Sequence, residues 1–464
     1  LPLADMPLLD SDDARPIHFV GIAGAGMSAL AELFLRRGVA ITGCDAHPET
    51  AADLQRLGVL VTGHDPAHVD AARALVVTSA MPKDHPELAR ARERGIPVIR
   101  RAEALGEVTV GRELVGIAGT HGKTTTTVMT AMALGAAGRD PTALVGGRVA
   151  DWEGNLRAGS DRLYVVEADE YDRSFLALSP TVAVVTNVEA DHLDIYADLA
   201  DIRRTFAQFV TGARHIVLCA DDSNANTLST PSSTEVVRYG IASADARLIA
   251  RDISSQNGTT AFEVVYDDDQ LGRVELRVPG RHNVLNALAA IGSGLVLGAD
   301  LPSMARGLSE FKGAERRFQR LGDVRGITVV DDYAHHPTEI AATLAAARSS
   351  FPGRRLVVAF QPHLYTRTRD FAKDFGASLA AADAVFLTEI YPAREQPIEG
   401  VTSTLVERAL EQSGGRMQWR GRREQLAEAL AAFVRDGDAV ITLGAGDITK
   451  TGAELLARLS SAAT

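Results

Sequence analysis

The chain has 464 residues, 46% of them apolar and 23% charged, which is the balance of a folded, soluble enzyme and excludes a disordered or fibrous protein. That length exceeds a single hydrophobic core and predicts about three domains. With 48 Lys and Arg against 60 Asp and Glu the net charge is −12, which argues against a broad nucleic-acid surface. The two cysteines, Cys44 and Cys219, fall in different segments, so a disulfide framework is not expected and a reducing cytoplasm is. The first sixteen residues lack a basic region followed by a long apolar one. No apolar run is long enough to span a bilayer, so no membrane partner is expected.

Ile17 to Gly21 is apolar and β-rich, Met27 to Arg37 reads as a helix, and Val39 to Cys44 is strand-like again. Leu75 to Thr78 and Val98 to Ile99 continue the alternation, which predicts a doubly wound, mainly parallel sheet. Within it Gly24-Ala25-Gly26-Met27-Ser28-Ala29 matches G-x-G-x-x-A. Asp45 follows about twenty residues later, where dinucleotide sites place a ribose-binding acid. The glycines require only a diphosphate on a helix N-terminus. The turn therefore suits a nucleoside diphosphate, and an NAD-dependent oxidoreductase would carry it too.

A second domain is expected from Glu113. The strand-like run to Ala118 leads into Gly119-Thr120-His121-Gly122-Lys123-Thr124-Thr125, and Thr124 to Leu134 is helix-like. Strand, glycine turn, Lys-Thr and helix make a phosphate cradle. Lys123 can reach terminal phosphates and the Thr124 hydroxyl can ligate Mg²⁺. Ile117 occupies the slot where the strict pattern has glycine, so the motif is a variant. Lys123 is read as a solvent-facing loop residue whose removal leaves folding intact. An oxidoreductase leaves this motif unexplained, and a nucleotide-gated binding protein without ligase chemistry would share it.

The strand Leu163 to Val166 closes in Glu167-Ala168-Asp169-Glu170-Tyr171-Asp172, which puts Glu167 where a P-loop protein holds Mg²⁺. Val182 to Thr186 ends in Asn187-Val188-Glu189-Ala190-Asp191-His192 at the same sheet edge, so His192 is a second metal candidate. Arg214 to Ala220 is another strand, and the alternating residues from Val236 to Val278 predict a smaller antiparallel region. Pro279-Gly280 breaks the chain before the helix Asn283 to Leu297. Asn283 and Asn286 either cap that helix or read a purine edge.

A third domain is expected from Arg316. Ile327 to Asp331, Arg355 to Phe360, Ala384 to Leu387 and Ala439 to Leu443 are its strands. Pro337 to Arg348, Leu405 to Glu411 and Arg423 to Val434 are helical. His335 and His336 are adjacent and would point apart on a strand, which argues against a metal box there. Gln361 to Arg369 is read as a strand end whose arginines suit a carboxylate or phosphate.

Taken in this order the motifs resemble the Mur ligases, the ATP-dependent amide-forming enzymes of peptidoglycan precursor synthesis, and within them the alanine-adding branch. The resemblance runs from His18-Phe19-Val20-Gly21-Ile22 to Leu443-Gly444-Ala445-Gly446-Asp447. Its other marks are the Gly119 to Thr125 turn, Glu167 to Glu170, Glu189 to His192, His282 to Ala287, Asp331 to Glu339 and the Phe360 to Asp370 run. It implies three α/β domains: a Rossmann-like UDP-sugar-binding domain (1–112), a central P-loop ATPase (113–315) and a Rossmann-like amino-acid-binding domain (316–464). It implies that L-alanine is joined to the lactyl carboxylate of UDP-N-acetylmuramate through an acyl phosphate, with ATP and Mg²⁺, in the cytoplasm, by a monomer or homodimer.

The resemblance also implies residue roles. Gly21, Gly24, Gly26, Met27, Ser28 and Asp45 bind the UDP-sugar. Gly119, Thr120, His121, Gly122, Lys123, Thr124, Thr125, Asn283, Asn286, Arg316 and Asp331 bind ATP. Thr124, Glu167 and His192 hold Mg²⁺, and Tyr333, His335, His363 and Arg367 meet the amino acid. Lys123, Glu167, His192 and Arg367 are the catalytic set. Two positions depart from the family. No lysine lies between Asn187 and Ala220, where some members carry a carbamylated one, which agrees with the alanine-adding branch. Leu364 stands where many members have arginine after Gln-Pro-His, which leaves Arg367 as the carboxylate partner. The tripeptide-joining ligases of recycling share the P-loop and acidic motifs. The Asn187 to His192 and Gln361 to Asp370 runs favour alanine.

Overall fold

The computed structural model describes residues 8–78, 81–256, 258–393 and 395–461. Short apolar runs that end in glycine or acidic turns become buried strands, and they assemble into three sheets. In the first, β1 (Ile17–Val20), β2 (Ile41–Cys44), β3 (Leu60–Thr62), β4 (Ala74–Val77) and β5 (Val98–Arg100) lie in the order β3-β2-β1-β4-β5. All neighbours are parallel. The winding reverses between β1 and β4, and ligands bind at such a switch point in open α/β sheets.

The second sheet holds ten strands: β6 (Glu113–Ala118), β7 (Thr142–Val149), β8 (Gly154–Arg157), β9 (Leu163–Glu167), β10 (Val182–Val185), β11 (His215–Cys219), β12 (Glu235–Gly240), β13 (Leu248–Gln256), β14 (Thr259–Tyr266) and β15 (Asp269–Leu276). Their order is β15-β14-β13-β12-β11-β10-β6-β9-β7-β8. The phosphate-loop strand β6 thus runs between β9 and β10, parallel to both. Its register sets Ile117 beside Glu167 and Ala118 beside Val185, so three strand ends open on one edge. The β7–β8 hairpin is not apparent in the sequence because Gly146-Gly147 interrupts its apolar pattern. Ile117 lies inside β6 and is fully buried, which explains the missing glycine: the slot belongs to the strand.

The third sheet has β16 (Gln319–Val324), β17 (Ile327–Asp332), β18 (Leu356–Phe360), β19 (Ala384–Thr388), β20 (Met417–Gly421) and β21 (Ala439–Leu443) in the order β16-β17-β21-β18-β19-β20. β16 is antiparallel and the rest are parallel. Register brings Asp332, Leu443 and Phe360 level at one edge. Separate apolar cores cover its two faces, one around Val330, Val358 and Phe360, the other around Val329, Val357 and Phe386.

By chain contact the molecule forms two compact units. One comprises residues 1–252, 262–274 and 285–311, the other residues 253–261, 275–284 and 312–464. The first sheet and most of the second lie in the first unit, with stretches of β13, β14 and β15 assigned to the second. The core of the first unit runs without a break from Phe19 and Phe34 to Tyr164, Phe175 and Phe206. Among the described residues no helix is long and apolar enough to cross a membrane.

Candidate active site

The loop between β6 and the helix Lys123–Ala136 requires two glycines in backbone conformations that other residues avoid. Gly119 has φ 143° and Gly122 has φ 81°. The loop is tied to the end of β10. Asn187 accepts from the His121 N–H at 2.8 Å and its backbone carbonyl accepts from the Thr120 N–H at 3.1 Å. Thr186 Oγ1 donates to the His121 carbonyl at 2.6 Å, and the Glu189 N–H donates to Thr120 Oγ1 at 2.9 Å. Asn286 accepts from Thr126 Oγ1 at 3.1 Å, next to Gly122, where a Cβ would approach Asn286 Oδ1 to 2.7 Å. The cradle is therefore braced from two sides before any anion enters.

Thr124 Oγ1 donates to Glu167 Oε2 at 2.9 Å, and the Gly146 N–H from the β7–β8 hairpin donates to the same oxygen at 2.7 Å. Lys123 Nζ donates to Glu170 Oε2 at 2.6 Å and to the Gly119 carbonyl at 2.7 Å. His192 Nε2 stands 3.5 Å from Glu170 Oε1, and the His192 ring meets Tyr171 edge-on. The Lys123 side chain is 13% exposed and that of Glu170 4%, so the pair is enclosed, contrary to the solvent-facing lysine expected from the sequence. Burial works against the Lys123 ammonium, but Glu170, Asp169 and Glu167 outweigh it and raise its pKa. Burial likewise opposes the Glu170 carboxylate, and Lys123 and His192 bring its pKa below the usual value. Glu170 is thus a charged member of the site that sequence reading passed over. Its signal in the sequence is its place within the acidic run Glu167 to Asp172.

In the first sheet, Gly21 (φ 81°) and Gly24 form the turn after β1, and Gly24 precedes the helix Ala25–Arg36. Asp45 Oδ2 accepts from the Ala23 N–H at 3.0 Å and Oδ1 from the His47 N–H at 3.0 Å, so this carboxylate shapes the turn. The Met27 side chain is buried in the core, and Ser28 Oγ donates to the Ala25 carbonyl. Arg101 crosses the first turn of the helix, with Nη1 3.0 Å from where a Gly26 Cβ would stand. A guanidinium beside a helix N-terminus is suited to a diphosphate. Arg101 was not apparent from the sequence because it is remote from the glycine motif. With Arg100, Asp172 and Arg173 it lines a cavity of about 160 Å³.

The second unit gathers its own set. Arg316 Nε is 3.3 Å from Asp331 Oδ2, and Arg316 donates to the Gly444 carbonyl at 2.5 Å. Arg316 and Arg317 both lie over the Tyr333 ring, at 4.8 and 5.1 Å. The rings run on from Tyr333 to His335 at 5.0 Å, to His363 at 5.8 Å and to Tyr391 at 5.8 Å. Asn283 donates to the Pro279 carbonyl at 2.7 Å, one turn before Asn286 on the helix Arg281–Val296. Residues 365–369, expected to prolong a strand end, begin the helix Tyr365–Leu379, because Leu364 turns the chain at φ 69°. Arg367, on that helix, is 6% exposed.

Asp332 lies beside this set and is 7% exposed. Burial pushes its pKa up to about 6, against Arg317 and the N–H groups of Ala334 and Phe318, which hold the anion. The folded state therefore binds this proton more tightly than the unfolded one. Stability is expected to fall as pH rises from about 4 to about 6, by up to about 3 kcal/mol. Asp332→Asn is expected to flatten that slope in urea titrations across this range.

Family profiles match three stretches of the chain: the Mur ligase family, catalytic domain over residues 16–112, the Mur ligase middle domain over 117–294, and the Mur ligase, glutamate ligase domain over 316–446. The chain belongs to the Mur ligase family. A UDP-N-acetylmuramate–L-alanine ligase of Acidothermus cellulolyticus is 48% identical over 438 residues, covering 92% of this chain and 91% of the relative. Among solved structures, a UDP-N-acetylmuramate–alanine ligase from Thermotoga maritima superposes with a TM-score of 0.82 at 30% identity, covering 96% and 99% of the two chains. A murein peptide ligase from Psychrobacter arcticus gives 0.70 at 27%, covering 96% and 98%. As in the sequence reading, this Mur ligase has three α/β sheets and places Lys123, Thr124, Glu167 and His192 on one edge of the middle one.

Proposed function

We propose that this chain joins L-alanine to the lactyl carboxylate of UDP-N-acetylmuramate, cleaving ATP to ADP and phosphate, in peptidoglycan precursor synthesis. The observation that carries the reading is the braced phosphate loop, with Lys123 and the Thr124–Glu167 pair at its mouth. The alanine-adding branch rests on the near full-length relatives of that name. The lactyl carboxylate attacks the γ-phosphorus of ATP to give an acyl phosphate. The amine of alanine then attacks the carbonyl, and the tetrahedral adduct collapses to amide and phosphate.

Two anions meet in the first step, so the work of the chain is charge management. The N–H groups at the start of the Lys123–Ala136 helix and the Lys123 ammonium receive the phosphates. Thr124 and Glu167 present hard oxygen donors beside the loop, a set that suits Mg²⁺, and we assign His192 to a second ion. Bound there, Mg²⁺ would offset charge between phosphate and carboxylate. The turn at Gly21 to Ser28, with Arg101, takes the UDP. Asn283, Asn286, Arg316 and Asp331 are assigned to ATP, and Tyr333, His335, His363 and Arg367 to alanine. We place the domain boundaries at 112/113 and 315/316 and the reaction in the cytoplasm, carried out by a monomer or homodimer.

The test is phosphate release with UDP-N-acetylmuramate and ATP while the amino acid is varied. Alanine is expected to drive turnover, and the tripeptide used in recycling is not. Preference for the tripeptide would move the chain to the recycling branch. Arg367→Ala is expected to raise KM for alanine about tenfold or more while KM for ATP changes little. Equal effects on both would remove Arg367 as the carboxylate clamp.

A further inference from the structure

The UDP-sugar domain holds a second cluster of chemically active side chains, away from the phosphate loop. His18 on β1, Cys44 at the end of β2, His68 in the turn Pro66–Ala71 and Glu87 in the first turn of the helix Pro86–Arg94 each offer one donor atom, and all four donors lie within 4.8 Å of one another. His18 is 1% exposed and both Cys44 and Glu87 are 0% exposed. Parallel register puts His18 and Cys44 on one face, and the turn and the helix bring His68 and Glu87 to it. His18 pairs with Thr42 and Cys44 with Thr62, so alternate residues of three strands share a face.

The distances suit a coordination shell. His18 Nε2 is 3.4 Å from Cys44 Sγ and 3.6 Å from Glu87 Oε2. Cys44 Sγ is 3.1 Å from Glu87 Oε2, and His68 Nδ1 is 3.5 Å from Glu87 Oε1. A tetrahedral ion with bonds of about 2.0–2.3 Å needs donor separations of about 3.3–3.8 Å, which the 3.4, 3.5 and 3.6 Å distances meet and the 3.1 Å Cys44–Glu87 contact undercuts, so that pair opens slightly when an ion enters. The outer nitrogens are anchored as metal-bound histidines usually are: His18 Nδ1 is 2.9 Å from Thr42 Oγ1 and His68 Nε2 is 3.2 Å from Thr62 Oγ1. His68 Nδ1 is buried and makes no hydrogen bond. His64 Nδ1 adds a neighbouring donor 3.2 Å from Cys44 Sγ.

We propose that His18, Cys44, His68 and Glu87 form a structural site for Zn²⁺ that staples β1, β2, the Pro66–Ala71 turn and the Pro86–Arg94 helix together. One thiolate, two neutral imidazoles and one carboxylate leave no net charge around a divalent ion, as burial demands. The mixed nitrogen and sulfur donors exclude Mg²⁺, which takes oxygen. Four protein donors leave no open position, so the site is structural. On binding, the Cys44 S–H bond is replaced by S–Zn and the proton passes to water. Cys44 immediately precedes Asp45, which shapes the glycine turn, so the staple holds one wall of the UDP-sugar site.

The test uses the full chain, stripped with a chelator and titrated with Zn²⁺ alone or Co²⁺ alone in excess Mg²⁺. About one equivalent is expected to bind, with about one proton released per ion and with Cys44 protected from a thiol reagent. Co²⁺ is expected to give an intense near-ultraviolet thiolate-to-metal band. Cys44→Ser should abolish the band although Cys219 remains. Thr62→Val, which keeps all four donors, should weaken binding about 10–100-fold. Should Cys44→Ser fail to fold, Thr62→Val and the protection of the wild-type thiol still decide the matter. Competition by Mg²⁺, binding that survives Cys44→Ser but is lost in Glu167→Gln, or unchanged affinity in Thr62→Val would each overturn the proposal.

Discussion

Lys123→Ala is expected to lower kcat about 10²–10³-fold or more and, in the same molecule, to destabilise the fold by about 3–5 kcal/mol. Both effects come from one ammonium. The ammonium we assign to the terminal phosphate lies 2.6 Å from Glu170 Oε2, and the Glu170 side chain is 4% exposed. Without Lys123 the Glu170 carboxylate stays enclosed but keeps the His192 ring 3.5 Å away, which places the loss towards the lower end of that range. The pH dependence gives a further check. Lys123 and His192 lower the Glu170 pKa from its ordinary 4.5. The resulting stability is present above about pH 4.5 and is lost as pH falls through the depressed value. The gap between wild type and Lys123→Ala should therefore narrow in acid. Lys123→Met combined with Glu170→Gln should recover stability in urea titrations but not turnover. Near-normal turnover in Lys123→Ala would refute its role at the phosphate. Unchanged stability would show that the buried pair is not a supporting contact.

The difference between that expectation and the one drawn from the sequence is instructive. Glycines around a Lys-Thr step announce a phosphate loop because only glycine adopts φ 143° and φ 81° there at little cost. The strands announce themselves because parallel strands covered on both faces are runs of buried Val, Ile and Ala, as in β6, β9 and β10. Enclosure, by contrast, is a property of neighbours remote in sequence. Lys123 looks exposed in its own loop, and it is Glu170, three residues beyond β9, that encloses it. The β7–β8 hairpin is broken by Gly146-Gly147, so its delivery of the Gly146 N–H to Glu167 has no linear signature. Arg101 follows the same logic, reaching Gly26 from the end of β5. The Cys44 cluster is scattered in short pieces from His18 to Glu87, and it takes the register of parallel strands together with the turn and helix that follow them to assemble it. What the sequence carries is local chemistry and apolar period. What it omits is the second layer, the groups that hold the first in place.

Glu167 allows charge and shape to be separated at the proposed magnesium position. Its Oε2 accepts from both Thr124 Oγ1 and the Gly146 N–H, at 2.9 and 2.7 Å. In Glu167→Gln an amide oxygen can accept the same two bonds, so the loop, the hairpin and overall stability should stay within about 1 kcal/mol of wild type. The negative charge is gone, however, and a hard divalent ion gains most of its affinity from charged oxygen. We expect kcat to fall about 10²–10³-fold and the Mg²⁺ concentration for half-maximal rate to rise at least tenfold, with KM for UDP-N-acetylmuramate little changed. Glu167→Asp keeps the charge on a shorter arm and should retain more of the magnesium response than of the rate. A rate loss in Glu167→Gln with an unaltered magnesium response would mean that Glu167 merely braces Thr124 and the hairpin, and the ion would then have to be placed on other donors.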